Sequence, residues 1–247
     1  MKVIILAGGL GTRLRSVVSD VPKPLAPIRH IPYLAYMLNA LYAKGLREFI
    51  LSVGYKSAHF EQFIATQKSL LPDLSLELVV ESEPLGTGGA LKFCFNSHPA
   101  ERYLIFNGDS YCDFPLAKLL EAASQHNMAM VVAKVDNISR YGEVTLRDNG
   151  CVEAFHEKQP VARAGLINAG VYCLPGDIFA GFQCPQSFSF EQAIMPGLMA
   201  QGVATVEAGG PFIDMGMPED YQWLASQPDY YFPSRPRWPA AVADTQS

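Results

Sequence analysis

A short apolar run that passes directly into a glycine-rich turn opens the chain and constrains its fold more than any other segment. Residues 3–7 are Val-Ile-Ile-Leu-Ala, and Gly8, Gly9 and Gly11 follow them. A continuous apolar run of this length, bounded by glycines, predicts a buried strand. Because glycine has no side chain, the turn after the strand allows backbone N–H groups to approach a bound anion closely.

Two cations follow this turn. Arg13 lies two residues after Gly11, and Lys23 stands between Pro22 and Pro24. Guanidinium and ammonium groups, together with oriented N–H groups, neutralise a polyanion. The glycine turn alone is equally compatible with a tight turn beside solvated charges, but its combination with Arg13 and Lys23 favours a phosphate site. The expected ligand is a nucleoside triphosphate.

The spacing excludes two common phosphate-binding loops. A Walker loop needs Lys and then Ser or Thr directly after its last glycine, whereas Thr12 and Arg13 follow Gly11 here. A dinucleotide fingerprint needs a third glycine at the position of Leu14. An NAD-dependent oxidoreductase is therefore not expected.

Composition narrows the class of protein further. The chain has 247 residues, of which 49% are hydrophobic, and a formal net charge of -5, so a nucleic-acid backbone is not an expected partner. The five cysteines are odd in number and form no Cys-x-x-Cys pair, which argues against a disulfide framework and a zinc cluster. No apolar run has the length of a membrane span or the form of a signal peptide. We expect a cytoplasmic protein with no membrane partner.

Strand-like and helix-like segments alternate along the first 135 residues. Strands are predicted at residues 3–7, 48–53, 75–80, 103–106 and 128–135. Helices are predicted at residues 32–43, 56–68, 88–96 and 115–125. This alternation predicts an α/β fold with three layers, a Rossmann-like mixed, mostly parallel sheet between two layers of helices. Ligands of such sheets bind beyond the carboxyl ends of the strands, where the glycine turn and residues 107–110 lie.

The pattern changes after residue 135. A hairpin is predicted over residues 142–156 around Asp148, Asn149 and Gly150, and a further strand over 166–174. A helix over 190–200 follows Ser189, which is spaced from Gln192 as in a capping box. Another helix is predicted to begin at Pro218.

We expect one domain over residues 1–226, with a nucleotide-binding part at about 1–135 and a second part at about 136–226. Residues 227–247 are expected to form a proline-rich tail. One expectation is that this tail is peripheral or partly disordered. The second is that it packs on the body or on another subunit through its aromatic residues, which are Tyr230, Tyr231, Phe232 and Trp238.

Seven motifs along residues 1–225 resemble those of the sugar-1-phosphate nucleotidyltransferases, also called NDP-sugar pyrophosphorylases. They lie at residues 6–14, 22–24, 85–90, 107–110, 157–158, 168–172 and 212–216. The resemblance implies a nucleotide-diphospho-sugar transferase fold. It also implies a reaction in which a sugar 1-phosphate attacks the α-phosphorus of a nucleoside triphosphate and pyrophosphate leaves.

The resemblance also implies roles for individual residues. Arg13, Lys23 and Asp109 are the expected catalytic residues, and Asp109 and Asp214 the expected ligands of Mg²⁺. The nucleotide is expected to contact Leu6, Ala7, Gly8, Gly9, Gly11, Thr12, Arg13, Glu83, Gly86, Thr87 and Gly88. The sugar phosphate is expected to contact Gly108, Gly142, Glu157, Lys158 and Asn168. The role of Glu143 stays open.

The segment 83–90 favours GTP. It lacks the glutamine that uridylyl and thymidylyl members usually carry there, and the Glu83 carboxylate could accept hydrogen bonds from guanine N1–H and N2–H₂. The likeness is greatest to members that act on D-glycero-α-D-manno-heptose 1-phosphate. Mannose 1-phosphate with GTP and an amino-sugar 1-phosphate with UTP are the alternatives. A catalytically silent nucleotide-sugar sensor is an alternative of another class, although such a protein should have lost Arg13, Lys23, Asp109 or Asp214. The sequence leaves both a monomer and a homo-oligomer open.

Overall fold

The computed structural model describes residues 1–239 apart from Leu10, Gly11, Thr12, Ser19, Tyr55, Glu157, Gln159 and Pro233. The expectations for Gly11, Thr12 and Glu157 therefore lie outside the described residues. No helix within the described ranges is long and apolar enough to cross a bilayer.

The described part of the chain contains thirteen strands and eight α-helices. The strands are β1 (Lys2–Leu6), β2 (Pro27–Ile28), β3 (Ile31–Pro32), β4 (Glu48–Val53), β5 (Ser75–Val80), β6 (Arg102–Asn107), β7 (Ser110–Cys112), β8 (Ala129–Val135), β9 (Glu143–Leu146), β10 (Val152–His156), β11 (Gly165–Pro175), β12 (Ala204–Glu207) and β13 (Phe212–Asp214). The helices are α1 (Tyr33–Ala43), α2 (Ser57–Leu70), α3 (Gly86–Ser97), α4 (Leu116–His126), α5 (Phe190–Ala193), α6 (Met195–Gln201), α7 (Pro218–Ser226) and α8 (Pro228–Tyr231).

The main sheet is mixed. Its strands run in the order β10-β9-β11-β6-β1-β4-β5, and β8 pairs with β11 and carries β12 on its other side. The strands β6, β1, β4 and β5 are parallel, whereas β11 is antiparallel to both β6 and β8. The parallel half brings the carboxyl ends of four strands to one edge of the sheet, the place where ligands of such sheets bind.

Helices cover both faces of this sheet, so the α/β three-layer prediction is confirmed. Val3 and Ile5 of β1 belong to one apolar core and Ile4 to the other, because successive side chains of a strand point to opposite faces. Residues of α1, α2 and α4 fill the first core, and residues of α3, α5 and α6 fill the second.

The main predicted elements are present, with one break. The predicted helix over residues 190–200 is divided at Ile194 into α5 and α6. Pro196, at the start of α6, has no N–H to donate to the preceding turn, so the second helix begins anew there. Ser189 caps α5, with its side chain accepting a hydrogen bond from the Gln192 N–H. The short strands β2, β3, β7, β12 and β13 and the short helix α8 were not predicted.

The segment after α8 packs on the body through two of its aromatic residues. Phe232 is buried, and its ring lies against the rings of Tyr33, Tyr36 and Tyr111 at centroid distances of 4.3 to 6.0 Å. Trp238 stacks on Phe63 of α2 at 5.9 Å. The second expectation for the tail thus holds for these two residues.

We expect Phe232→Ala to lower the free energy of unfolding by about 3–5 kcal/mol, because it leaves a cavity among three tyrosine rings. Tyr230→Ala is the matched control, since the Tyr230 side chain is 62% exposed and its removal should cost less than about 0.5 kcal/mol. Urea denaturation of both variants measures the difference. A loss below about 1 kcal/mol for Phe232→Ala would contradict this packing.

Candidate functional site

A cleft of about 630 Å³ opens at the carboxyl ends of the parallel strands. This volume is within the range that small-molecule sites occupy. The described residues that line it are Leu6, Ala7, Gly8, Gly9, Lys23, Pro24, Gly54, Glu81, Ser82, Glu83, Pro84, Gly86, Thr87, Ala90, Asn107, Gly108 and Asp109. Most of the residues predicted to contact the nucleotide are therefore together in one cleft.

Gly108 allows the ends of β1 and β6 to lie side by side. Its N–H donates to the Leu6 carbonyl oxygen at 2.9 Å, and a Cβ at this position would lie 2.6 Å from that oxygen. A larger residue would push the strand ends apart. The close approach places Asp109 at the edge of the cleft, directly after β6.

Lys23, Asp109 and Asp214 form a charged cluster at this edge. The Lys23 Nζ lies 2.7 Å from Asp109 Oδ2 and 3.7 Å from Asp214 Oδ1. Asp214 comes from a distant part of the chain and reaches the cluster because β13 pairs with β7, in register with Ser110. The Met215 N–H also donates to the Asp109 carbonyl oxygen at 2.8 Å. Three residues singled out from the sequence are thus brought together.

The surroundings of Asp214 disfavour the charge on its carboxylate. Burial raises the pKa of Asp214, and the neighbouring Asp109 carboxylate raises it further, while Lys23 and the Gly216 N–H oppose this shift. The Gly216 N–H donates to Asp214 Oδ1 at 2.7 Å. A further cation would therefore relieve the repulsion.

The oxygen donors are of the kind that Mg²⁺ prefers, and Mg²⁺ typically takes one or two carboxylates and completes its shell with phosphates and water. Within the described ranges, no three acidic, histidine or cysteine side chains gather at one point.

Two residues of the predicted nucleotide site lie apart from the cleft lining. Arg13 is exposed and is not among the described lining residues. Gly88 is buried, its N–H donates to the Phe188 carbonyl oxygen at 2.9 Å, and a Cβ there would collide with the Phe188 ring. Their proposed nucleotide contacts stay predictions.

Of the predicted sugar contacts, Gly108 lines the cleft, whereas Gly142, Lys158 and Asn168 lie in the antiparallel half of the structure. The Asn168 N–H donates to the Gly142 carbonyl oxygen at 3.2 Å, so these two residues are adjacent. Gly142 faces the Phe155 ring, which leaves no room for a side chain. Lys158 is exposed. Glu143, whose role the sequence left open, forms an ion pair with Arg163 at 2.7 Å.

Glu81 is a cleft residue that sequence reasoning missed. Its Oε1 accepts from the Ser52 hydroxyl and its Oε2 from the Leu85 N–H, both at 3.1 Å. Glu83, which was predicted, is exposed and accepts from Gln186 Nε2 at 2.5 Å. The pattern alone does not separate two glutamates that are two residues apart after the same strand.

Comparisons with known proteins identify the family of this chain. The family model described as nucleotidyl transferase matches residues 2–227. D-glycero-alpha-D-manno-heptose 1-phosphate guanylyltransferase of Campylobacter jejuni is 36% identical over 221 residues, which cover 90% of this chain and 97% of that protein. Mannose-1-phosphate guanylyltransferase catalytic subunit beta of Danio rerio is 35% identical, with 90% of this chain and 62% of that protein covered.

A solved structure is similar over the same length. The crystal structure of HddC from Yersinia pseudotuberculosis complexed with GMP-PN has a TM-score of 0.80 and 32% sequence identity, and the match covers 92% of this chain and 98% of that chain. The family model spans nearly the whole chain. The two curated relatives are similar in sequence over 90% of it, and the solved structure is similar in fold over 92% of it. This chain belongs to the nucleotidyl transferase family.

Proposed function

We propose that this protein condenses a sugar 1-phosphate with GTP to give a GDP-sugar and pyrophosphate, and that the sugar is D-glycero-α-D-manno-heptose. The cluster of Lys23 and two carboxylates beside the glycine turn carries the proposal, because phosphoryl chemistry needs cations and metal-binding oxygens at one point. The heptose phosphate guanylyltransferase relative, which this chain matches along its length, supports the choice of substrates.

The reaction needs little covalent chemistry from the protein. A phosphate oxygen of the sugar 1-phosphate attacks the α-phosphorus, a new P–O bond forms, and the bond to the pyrophosphate breaks. This nucleophile is largely ionised at neutral pH, because the second pKa of a phosphate monoester is about 6. Catalysis therefore rests on alignment and on neutralisation of charge.

We assign these tasks to residues of this chain. The glycine turn and Arg13 bind the triphosphate, and Lys23 holds the reacting phosphates against the carboxylate pair. Asp109 and Asp214 would hold Mg²⁺. When bound, this ion supplies positive charge to the α-phosphate. Lys158, Gly142, Glu157 and Asn168 bind and orient the sugar phosphate.

Two carboxylates are available for guanine. Glu81 lines the cleft, but both of its oxygens already accept hydrogen bonds from Ser52 and Leu85. Each carboxylate oxygen has a second lone pair, so Glu81 can still accept from a base. Glu83 lies at the exposed rim and is held by Gln186. Either position would accept from the guanine N1–H and N2–H₂ donors, and a pyrimidine does not present this donor pair.

Mannose 1-phosphate is the second candidate sugar. The Danio rerio relative is a mannose-1-phosphate guanylyltransferase subunit, and it is nearly as similar in sequence. This chain spans less than two thirds of that protein, whereas it spans almost all of the heptose enzyme. This difference in length favours the heptose.

The substrate assignment predicts pyrophosphate release with GTP and heptose 1-phosphate. We expect kcat/KM to be at least about 10²-fold higher for GTP than for UTP, because a carboxylate paired with guanine loses its donors with other bases. The value of kcat/KM should be about tenfold or more higher for heptose 1-phosphate than for mannose 1-phosphate, because contacts with one extra carbon group contribute a difference of that size. The measurement is pyrophosphate release across ATP, GTP, CTP, UTP and dTTP, each with both sugar phosphates. Release only with another pair would contradict the assigned substrates, and nucleotide binding without release would indicate a sensor.

The carboxylate pair predicts opposite effects on activity and stability. Asp109→Asn and Asp214→Asn should each lower Mg²⁺-dependent turnover more than about 10²-fold, whereas Asp73→Asn, at an exposed site, should not. Asp214→Asn should also raise the melting temperature at pH 7 without Mg²⁺. The raised pKa of Asp214 means that its ionised form destabilises the folded state, so a neutral side chain removes that cost.

The pH dependence of this stability difference checks its cause. As the pH falls from 7 through the raised pKa, the native carboxyl takes up a proton, and the advantage of Asp214→Asn should shrink. Melting curves from pH 7 to pH 4 measure this trend. An advantage that stays constant with pH, or full turnover in either variant, would contradict the assignment.

The phosphate role of Arg13 predicts a loss of about 10² to 10³-fold in kcat/KM for Arg13→Ala, the range for removal of a group that stabilises a developing anion. Arg147→Ala is the control, because Arg147 is an exposed arginine at the far hairpin. Steady-state kinetics with GTP varied would measure both variants. A loss below tenfold for Arg13→Ala would contradict the role.

A further inference from the structure

A chain of side-chain hydrogen bonds connects Thr87, which lines the cleft, with Asn168 on β11. Thr87, at the start of α3, donates from its hydroxyl to Glu191 Oε2 at 2.8 Å. The Tyr172 hydroxyl of β11 donates to Glu191 Oε1 at 3.2 Å. Asn168 Nδ2, four residues earlier on β11, donates to the Tyr172 hydroxyl oxygen at 2.5 Å. Glu191 thus lies at the centre of a connection between Thr87 and Asn168.

The direction of each bond in this chain is fixed by its neighbours. The Thr87 hydroxyl oxygen accepts from the Phe190 N–H at 2.9 Å, and the Ser189 hydroxyl oxygen accepts from the Gln192 N–H at 3.3 Å. Both hydroxyl hydrogens are therefore directed to Glu191 Oε2, which lies 3.0 Å from the Ser189 hydroxyl. A carboxylate has only acceptors, which is what three converging hydroxyl donors require.

Tyr172 fixes the orientation of the Asn168 side chain through a hydrogen bond. Its side chain is buried, and burial and then the Glu191 carboxylate raise its pKa well above the usual value. The hydroxyl therefore stays protonated, donates a hydrogen bond to Glu191 and accepts one from Asn168 Nδ2. Asn168 Oδ1 in turn accepts from the Gly170 N–H at 2.9 Å. The carboxamide has one orientation that satisfies both neighbours.

The two ends of the chain lie at the places where substrates are expected. Thr87 is one of the residues that line the cleft, and Asn168 is adjacent to Gly142 and partly exposed. Gly170 has a φ of +72° and lies against Asn107, another lining residue, where a Cβ would come within 2.5 Å of the Asn107 amide nitrogen. Any rotation of the Asn168 carboxamide would therefore disturb a tightly packed turn beside the cleft.

We propose that Glu191 is a positioning residue. It fixes the Asn168 carboxamide through Tyr172, and it connects this carboxamide with the cleft lining through Thr87. The second N–H of Asn168 Nδ2 then keeps one direction, in which it donates to a hydroxyl of the sugar. Glu191 itself does not touch the substrate in this arrangement. The proposal rests on the proposed function, since it concerns the sugar side of the same site.

Conservative variants separate this role from simple packing. In Glu191→Gln, the amide oxygen satisfies most donors when it faces Thr87 and Ser189, so the amide NH₂ faces the Tyr172 hydroxyl. That hydroxyl then has donors on both sides and no acceptor for its own hydrogen. If Asn168 flips to accept it, the Gly170 N–H loses its acceptor and faces an NH₂ group. Tyr172→Phe removes the same connection and keeps the ring.

Steady-state kinetics with each substrate varied test the proposal. We expect Glu191→Gln and Tyr172→Phe each to raise KM for the sugar 1-phosphate about tenfold, with KM for GTP within about threefold of wild type. The double variant should be no worse than the more affected single variant, because both break one connection. Glu121→Gln, at an exposed site on α4, is the control. A KM for the sugar 1-phosphate within twofold of wild type in both single variants would overturn the proposal. An equal loss in both KM values that follows a fall in melting temperature would also overturn it.

Amide hydrogen exchange at Gly170 tests the same connection without turnover. Because the Gly170 N–H is bonded to the Asn168 side chain, its exchange rate reports the orientation of that side chain. We expect about tenfold faster exchange in Glu191→Gln and Tyr172→Phe, and no change in Glu121→Gln. Unchanged exchange at Gly170 would overturn the proposal. If the wild type turned over none of the substrate pairs, the proposed function would fail, and the exchange rates would still decide whether Glu191 sets Asn168.

Discussion

The parallel pairing of β1 with β6 is the constraint on which the rest of the site depends. This pairing aligns Leu6 with Asn107, so the glycine turn and Asp109 leave the sheet at the same edge. Gly108 allows this close approach because it places no side chain between the two strand ends. A cleft built in this way has the glycine residues after β1 on one side and a carboxylate on the other, which suits a phosphate chain and its counterion.

The carboxylate pair shows how the fold holds groups that repel each other. Asp109 and Asp214 are far apart in sequence, and the short ladder between β7 and β13 fixes them side by side. Lys23 offsets part of the repulsion, because its ammonium lies within ion-pair distance of both. Tyr111 belongs to this ladder as a residue of β7, and Phe232 packs on its ring and on the ring of Tyr33. The C-terminal segment therefore supports β7, which is paired with the strand that carries Asp214, although none of its described residues is part of the cleft lining.

The parallel half of the fold could be predicted because its signals are local. The strand before Gly8, the strand before Asn107 and the proline and glycine around α1 each mark an element within a few residues. Asp109 could be singled out because it directly follows a strand. The break at Ile194 was missed although it has a local signal, since Pro196 in the interior of the predicted helix has no N–H to donate to the preceding turn. The packing of Phe232 was open from the sequence, since aromatic residues in a proline-rich tail have no periodic pattern.

The residues that sequence reasoning missed share one property, which is that their partners are fixed by tertiary register. Glu191 is an ordinary first-turn glutamate of a four-residue helix, and nothing near it in sequence marks it. Its significance comes from β11, which runs antiparallel to β6 and thereby places Tyr172 and Asn168 on the same side as α5. Glu81 likewise gains its place from Ser52 on the neighbouring strand. Local patterns thus locate the phosphate side of such a cleft, because glycine turns and strand ends are local features. The side chains that we propose to orient the sugar phosphate belong to hydrogen-bond networks between elements, and these follow from the packing of the whole sheet.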